Sequence, residues 1–192
     1  MIYLKTMVTS LSMVFALNLH AEAGKIPTVD SVDLPAYLGL WHEVRRIEND
    51  FQDKESKKSP GVCFNTTAEY SLLPNDKIEV KNTCFRNDNS GEVAVAKARV
   101  VEGSNNAKLK VNFTGNPVLE FLGIGDGDYW ILALGPLNAQ NLYSWVLVGS
   151  PDLNVGWILS RTPSLETSDL DTALDIADSL GYKRDQFKSF QR

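Results

Sequence analysis

The chain has 192 residues, a formal net charge of −5 and 22% charged residues, with both signs interspersed along its length. No basic face is present for nucleic acid, and no cationic amphipathic helix is present for a membrane surface. We therefore expect neither nucleic acid nor a membrane surface as a partner.

Residues 1–23 have the pattern of a secretory signal peptide. One early lysine precedes an apolar run, and "AEA" at residues 21–23 is the small-x-small pattern at which signal peptidase cleaves. The run is well short of the roughly 20 apolar residues that span a bilayer, so we predict cleavage before Gly24 and not an uncleaved anchor. No cysteine follows the run to accept a lipid. We expect a soluble exported protein, periplasmic or secreted, whose residues 24–192 form one domain.

Short alternating segments separated by Gly, Pro, Asn and Asp dominate the rest of the chain and predict eight to nine antiparallel strands. In "AKLKVNF", residues 107–113, the apolar side chains share one face and the polar side chains share the other. In "EVAVAKARVV", residues 92–101, the inward face carries mainly alanines. Such small side chains leave room inside. They favour a closed barrel of about eight strands, which can hold one small ligand, over a filled sandwich.

The hydrophobic period changes to that of a helix near the C-terminus. Apolar residues from 168 to 180 form one stripe, Ser168 is a plausible N-cap, and Gly181 is suited to end the helix. A helix with a single apolar stripe is expected to pack on the outside of the sheet. The following "FKSF" predicts a final strand.

The first predicted strand opens with "YLGLWHEVRR", residues 37–46. Simple alternation places Trp41, Glu43 and Arg45 on one face, opposite His42 and Val44. Buried charges are expensive unless they are paired, so one hypothesis is an internal pair between Glu43 and Arg45. The other is that Arg45 receives the carboxylate or phosphate of an amphipathic ligand. The pattern leaves both hypotheses open.

Cys63 and Cys84 flank a predicted hairpin whose turn contains Pro74, Asn75 and Asp76. In an exported protein we expect the two cysteines to form a disulfide. A turn centred between Pro74 and Asn75 makes them diagonal neighbours on one face. A single β-bulge would instead place them on opposite faces, so two free thiols remain the alternative.

Several motifs together resemble the lipocalin family, most closely its bacterial outer-membrane lipocalin and apolipoprotein D branch. They are Gly39-x-Trp41, "YWILAL", and "WILSRTP" with Arg161 at the end of the last barrel strand, followed by one helix. The resemblance runs over about residues 35–190 and implies an all-β, eight-stranded up-and-down barrel at about 37–161, with the helix at about 168–180. It also implies a cation–π pair between Trp41 and Arg161 at the closed end, where Gly39 lets the backbone pass closely.

The chain departs from the pattern of that branch in two places. His42 and Arg45 stand where the branch usually has an aromatic and a small residue, and the second motif is reduced to "GPLNAQNLY", in which Tyr143 is the remnant. "LGIGDGD", residues 122–128, is followed by no helix, so we predict a flexible turn and neither a phosphate-binding loop nor a calcium site.

The resemblance implies a carrier of a small hydrophobic ligand, of the fatty acid or lysophospholipid class. The candidate ligand contacts are Arg45, Ala96, Ala98, Leu109, Val111, Phe113, Tyr129 and Trp130. We expect no catalytic residue, metal or cofactor, because His42 is the one histidine after the signal peptide and alternation turns it away from the cavity.

Two alternatives to the carrier remain open. One is a catalytic lipocalin in which Cys63 is a thiol nucleophile inside the cavity. The other is a scaffold that binds a protein through its loops, such as the charged "IENDFQDKESKKSPG", residues 47–61. The sequence does not decide the oligomeric state.

Overall fold

The computed structural model describes residues 26–54, 61–74, 76–116, 118–119 and 122–192. The predicted signal peptide, Asn75 of the predicted hairpin turn, and residues 55–60 of the charged loop lie outside the described residues.

The described residues form an antiparallel barrel of eight strands. The strands are β1 Gly39–Ile47, β2 Phe64–Leu72, β3 Ile78–Phe85, β4 Gly91–Val100, β5 Lys108–Asn112, β6 Asp126–Leu134, β7 Trp145–Gly149 and β8 Gly156–Ser160. Neighbours in sequence are neighbours in the sheet, and β1 pairs with both β2 and β8, which closes the barrel. A short ninth strand, β9 Phe187–Lys188, pairs with the end of β1, so the predicted barrel and the predicted final strand are both confirmed.

Three helices whose residues are all described accompany the strands. They are α1 Leu34–Tyr37, α2 Asp50–Asp53 and α3 Thr167–Ser179, and a short 3₁₀ helix follows at Arg184–Gln186. α1 precedes the start of β1 and marks the closed end of the barrel, whereas α2 follows β1 at the opposite, open end. Of the helices in this part of the chain, none combines the length and the apolar character that a membrane crossing requires.

Two apolar cores lie on opposite sides of the barrel wall. The first lies inside the barrel and includes Tyr37, Trp41, Leu109 and Ile131. The second lies between the outer surface of the barrel and α3, as the single apolar stripe of the helix predicts. The predicted N-cap Ser168 is wrong, because α3 begins at Thr167 and its N-cap is Glu166, which makes no side-chain capping bond. Gly181, with a φ of +98°, follows the helix as predicted.

A β-bulge interrupts β1 and overturns its predicted alternation. Glu43 pairs with Leu159, but Arg45 and not Val44 pairs with Ile158, so one extra residue stands in β1. Beyond the bulge the two faces are exchanged. Arg46 therefore takes the inward position that simple alternation had given to Arg45.

A second bulge brings the two cysteines together. From Thr67 to Leu72, paired residue numbers of β2 and β3 sum to 150, whereas Phe64 pairs with Phe85 across the bulge. Continuing the shifted register places Cys63 opposite Arg86 and diagonal to Cys84 on the same face. The predicted disulfide is confirmed, but the bulge brings the cysteines to the same face, whereas a bulge was predicted to place them on opposite faces.

Only the first part of the segment "LGIGDGD" forms a turn. Residues 122–125 form the turn, and β6 begins at Asp126. Asp126 pairs with Arg99, and Asp128 lies 2.8 Å from the Lys110 ammonium. Both aspartates therefore serve as ion-pair partners along the strand.

Candidate ligand-binding site

The barrel encloses a cavity of about 910 Å³ that is lined by residues of all eight strands. This volume lies within the range of small-molecule sites in proteins. Its middle section is apolar and is formed by Ala68, Val80, Ala94, Val111, Val148 and Leu159. Phe51 and Gln52 of α2 line the open end, so this part of the charged loop lies against the cavity.

The predicted ligand contacts divide into two groups. Val111, Phe113 and Tyr129 line the cavity, and Phe113 lies at the open end with 49% of its surface exposed. The others, Arg45, Ala96, Ala98, Leu109 and Trp130, are not among the lining residues. The ligand contacts of the first group remain a prediction.

The residues of the second group do not line the cavity, for three different reasons. Ala96, Ala98 and Leu109 do face inward, but they are packed in the interior core against the residues of the closed end. Trp130 alternates with Tyr129 and so lies on the outer surface of the barrel, in the core beneath α3. Arg45 is moved by the bulge, and its guanidinium donates to the Val44 carbonyl at 2.9 Å.

The closed end is sealed by Trp41 and Arg161. Trp41 has no exposed surface, its indole Nε1 donates to the Tyr37 carbonyl at 2.8 Å, and the Arg161 guanidinium carbon lies 3.6 Å from the ring centroid. The predicted cation–π pair is confirmed. Burial lowers the pKa of Arg161 to about 10, so the side chain stays charged at neutral pH.

Arg161 also joins α1 to the strands of the closed end. Its N–H groups donate to four carbonyl oxygens, those of Ala36, Tyr37, Leu40 and Tyr143, at 2.8–3.1 Å. Gly39 has a φ of +93°, and an added Cβ would meet Arg161 at an ordinary 3.7 Å. The glycine is therefore needed for its backbone conformation, and the predicted close approach is wrong.

Three tyrosines meet at the inner end of the cavity. The hydroxyls of Tyr37 and Tyr129 lie 2.6 Å apart, and the Tyr70 hydroxyl donates to Tyr129 at 2.9 Å. Burial raises the pKa of all three side chains, that of Tyr70 to about 12, so they remain protonated donors at neutral pH. Of the three tyrosines, only Tyr129 was among the predicted ligand contacts. The β2 register could have found Tyr70, which lies two residues from inward-facing Ala68.

A buried polar network occupies the open half. Arg46 has no exposed surface, and its guanidinium donates to the carboxylates of Glu43 and Asp53 and to the Cys63 carbonyl at 3.0 Å. The Gln52 amide donates to Glu43 at 2.8 Å. Burial raises the pKa of Glu43, and the nearby Arg46 charge opposes this rise. In place of the hypothesised Glu43–Arg45 pair, Glu43 pairs with Arg46, which also pairs with Asp53.

Arg86 is the second buried cation of the open half. Its Nε donates to Glu92 at 2.6 Å, and its Nη1 donates to the carbonyls of Gln52 and Gly61. Both Arg86 and Glu43 line the cavity, so its open half presents charges of both signs. Nothing in the sequence pattern singled out Arg86, because its role depends on loop contacts more than 20 residues away along the chain.

The matches to known proteins agree with this architecture. A family model described as a lipocalin-like domain matches residues 32–192. The chain is 31% identical over 161 residues to temperature-induced lipocalin-1 of Arabidopsis thaliana. The aligned region covers 84% of this chain and 80% of that protein. It is 31% identical over 159 residues to the outer membrane lipoprotein Blc of Vibrio cholerae, with 82% and 81% covered. Apolipoprotein D of Mus musculus is 30% identical over 160 residues, with 81% and 74% covered.

A solved structure shares the fold at low sequence identity. The crystal structure of the cockroach allergen Per a 4 superposes with a TM-score of 0.58 at 15% identity, covering 88% of this chain and 95% of that one. This likeness concerns the fold alone.

Proposed function

Because the chain belongs to the lipocalin family, we propose that it binds a small hydrophobic molecule in the barrel cavity and carries it through an aqueous compartment. The observation that carries this proposal is the cavity of about 910 Å³ with largely apolar walls. Burying an apolar ligand there removes its surface from water, which is the main source of affinity.

The finer proposal is a single-chain lipid of the fatty acid or lysophospholipid class in an exported protein. The apolar middle section suits an acyl chain. Export is supported by the signal-peptide pattern of residues 1–23 and by the Cys63–Cys84 disulfide, which persists in oxidising compartments. Two relatives carry names that place them with lipids, an outer membrane lipoprotein and an apolipoprotein.

Displacement of a fluorescent apolar probe, N-phenyl-1-naphthylamine, by lipids tests the binding proposal. We expect Ala94→Trp to weaken probe binding at least about tenfold, because Ala94 lines the apolar middle section of the cavity and an indole there takes up space that the probe needs. Val95→Trp is the matched control, since Val95 is the next residue of β4 and is 51% exposed on the outer face. Equal probe affinity in the two variants, or no probe binding by the parent chain, would contradict a ligand in this cavity.

We also propose that the protein is a carrier and not a thiol enzyme. The catalytic alternative needs a free Cys63 thiolate, and a sulfur in a disulfide supplies none. The intact mass of the purified protein without reductant tests this point. The oxidised mass, together with no labelling by iodoacetamide, is expected, whereas a labelled Cys63 would restore the enzymatic alternative.

A further inference from the structure

The tyrosine cluster at the inner end of the cavity has one more proton than it has internal hydrogen bonds. Tyr37 and Tyr70 each contact the Tyr129 hydroxyl, so the cluster contains two hydrogen bonds. Three hydroxyls carry three protons, and two bonds use only two of them. Within the described part of the chain, none of the three hydroxyls has another hydrogen-bond partner. One donor is therefore left over.

The remaining proton belongs to Tyr129. Tyr70 donates to Tyr129, so only the direction of the Tyr37–Tyr129 bond is open. If Tyr129 donated to Tyr37, the unpartnered proton would be that of Tyr37, whose side chain has no exposed surface. This is the more expensive arrangement, because a buried donor without a partner is costly. If Tyr37 donates, Tyr129 accepts two hydrogen bonds and keeps its own proton. Because Tyr129 lines the cavity, that proton is available to a ligand.

We propose that Tyr129 donates a hydrogen bond to an uncharged oxygen at the inserted end of an elongated apolar ligand, such as a ketone, an aldehyde, an ester or an alcohol. The ligand then enters with its polar end first. This inference rests on the general proposal of a small hydrophobic ligand in this cavity, and it favours an uncharged ligand over the ionised members of the fatty acid and lysophospholipid class proposed above.

The charges around the cavity exclude a carboxylate at the inner end. Arg161 is committed to four carbonyl oxygens on the far side of the Trp41 ring, and Arg86 is held by Glu92 and two carbonyls. Among the described lining residues Arg86 is the single cation, beside four acidic residues. A carboxylate that loses its hydration water here would find neutral hydroxyl donors and no cation. Burying such a charged group costs far more free energy than burying a neutral oxygen. A fatty acid is thus expected to enter this end only in its protonated form.

Three ligands with the same chain length test the inference by probe displacement at a mildly alkaline pH: 2-dodecanone, dodecanoate and dodecane. We expect 2-dodecanone to bind the parent chain about fivefold more tightly than dodecane, as one net hydrogen bond predicts, and more tightly than dodecanoate. Tyr129→Phe keeps the ring and removes the donor, so it is expected to abolish the preference for the ketone and leave dodecane unchanged.

Tyr37→Phe is the matched control, because it removes a hydroxyl that donates to Tyr129 and leaves the Tyr129 proton in place. We expect it to retain the preference for the ketone. Tightest binding of dodecanoate, equal binding of ketone and alkane, or an unchanged preference in Tyr129→Phe would each overturn the inference. The comparison within the parent chain holds even if Tyr129→Phe fails to fold. If neither the probe nor any of the ligands binds, the proposed function itself fails.

Discussion

Trp41 connects three parts of the closed end, so its removal is expected to destabilise the whole barrel. The ring packs on the Arg161 guanidinium and against Tyr37, and its Nε1 donates to a backbone carbonyl of α1. Trp41→Ala is expected to lower the free energy of unfolding by about 3–5 kcal/mol, as for large cavities in other cores. Urea unfolding measures the effect. Leu40→Ala, at a neighbouring position that is 47% exposed, is expected to change little. An unchanged unfolding midpoint for Trp41→Ala would show that this contact does not stabilise the closed end.

Glu43 is expected to make stability depend on pH in the direction opposite to most carboxylates. Because burial raises its pKa, the folded protein holds this proton more tightly than the unfolded chain does. The free energy of unfolding therefore falls as pH rises from the ordinary glutamate pKa through the raised folded pKa. Glu43→Gln cannot titrate, so its stability is expected to lack this fall, which urea unfolding at a series of pH values measures.

Asp152 is the control for Glu43, because its pKa shift and its effect on the pH dependence of stability have the opposite sign. A hydrogen bond from Ser150 lowers the pKa of Asp152, so its contribution is lost as pH falls. Asp152→Asn should remove a loss of stability at acidic pH, whereas Glu43→Gln should remove a loss toward neutral pH. Parallel pH profiles for Glu43→Gln and the parent chain would show that the carboxyl is not perturbed in the folded protein.

At the scale of single residues, the sequence located contacts that depend on a motif and missed those that depend on a bulge. Trp41 and Arg161 were paired correctly because both belong to recognisable segments at the ends of strands. Arg46 was missed because alternation assumes a regular strand, and no residue in "WHEVRR" marks the extra position. The same limit applies to Tyr37, which lies in α1 outside any strand period.

At the scale of elements, the segment after α3 is tied to the barrel through a contact that leaves no room for a side chain at Gly149, the last residue of β7. The Tyr182 hydroxyl, just after α3, accepts from the Ser150 amide at 3.1 Å and donates to the Ser150 carbonyl at 3.1 Å. A Cβ added at Gly149 would overlap this hydroxyl. Gly149→Ala is therefore expected to destabilise the protein by about 2 kcal/mol through overpacking and lost hydrogen bonds, measured by urea unfolding.

Gly127→Ala tests whether the effect is specific to the Tyr182 contact. Gly127 also lies within a strand, and its added Cβ would meet only the Val111 carbonyl at an ordinary 3.7 Å. We expect little change in stability for this control. Equal destabilisation by the two alanines would attribute the effect to glycine replacement in strands in general.

The elements themselves were largely readable from hydrophobic periods, whereas their register was not. The strand count, the outer helix and the final strand followed from alternation and from one apolar stripe. The β2–β3 hairpin shows the limit. Its bulge lies between Phe64 and Thr67, and it decides which face Cys63 occupies. Register depends on pairing with the partner strand, which a single segment does not specify.

At the scale of the whole molecule, the closed barrel and its cavity were predictable, but the depth of the cavity was not. The small inward residues of β4 did indicate space, and Ala94 lines that space. Ala96 and Ala98, on the same face, are instead covered by the interior core, which includes Tyr37 of α1. How far a cavity extends depends on side chains contributed by distant segments, and strand patterns carry no information about them.

The C-terminal segment, residues 189–192, fills the gap where β1 and β2 separate toward the open end. Ladder pairing between β1 and β2 extends only to His42 and Thr67. Beyond it, the Asn65 amide donates to the Phe190 carbonyl at 3.0 Å, and the Phe190 ring lies 3.6 Å from the Arg46 guanidinium carbon. The segment therefore completes the barrel wall over a buried cation.

Removal of residues 189–192 is expected to lower the free energy of unfolding by at least about 2 kcal/mol, because two cation–π contacts, Phe190 with Arg46 and Arg192 with Phe64, are lost together with several hydrogen bonds. Hydrogen exchange at the Asn65 amide should accelerate, because its acceptor is gone. Arg184→Ala is the control, since the contacts of the Arg184 side chain with other described residues are exposed ion pairs with Asp171 and Asp175 of α3, which contribute little. Unchanged exchange at Asn65 in the shortened chain would mean that the barrel wall closes there without the segment.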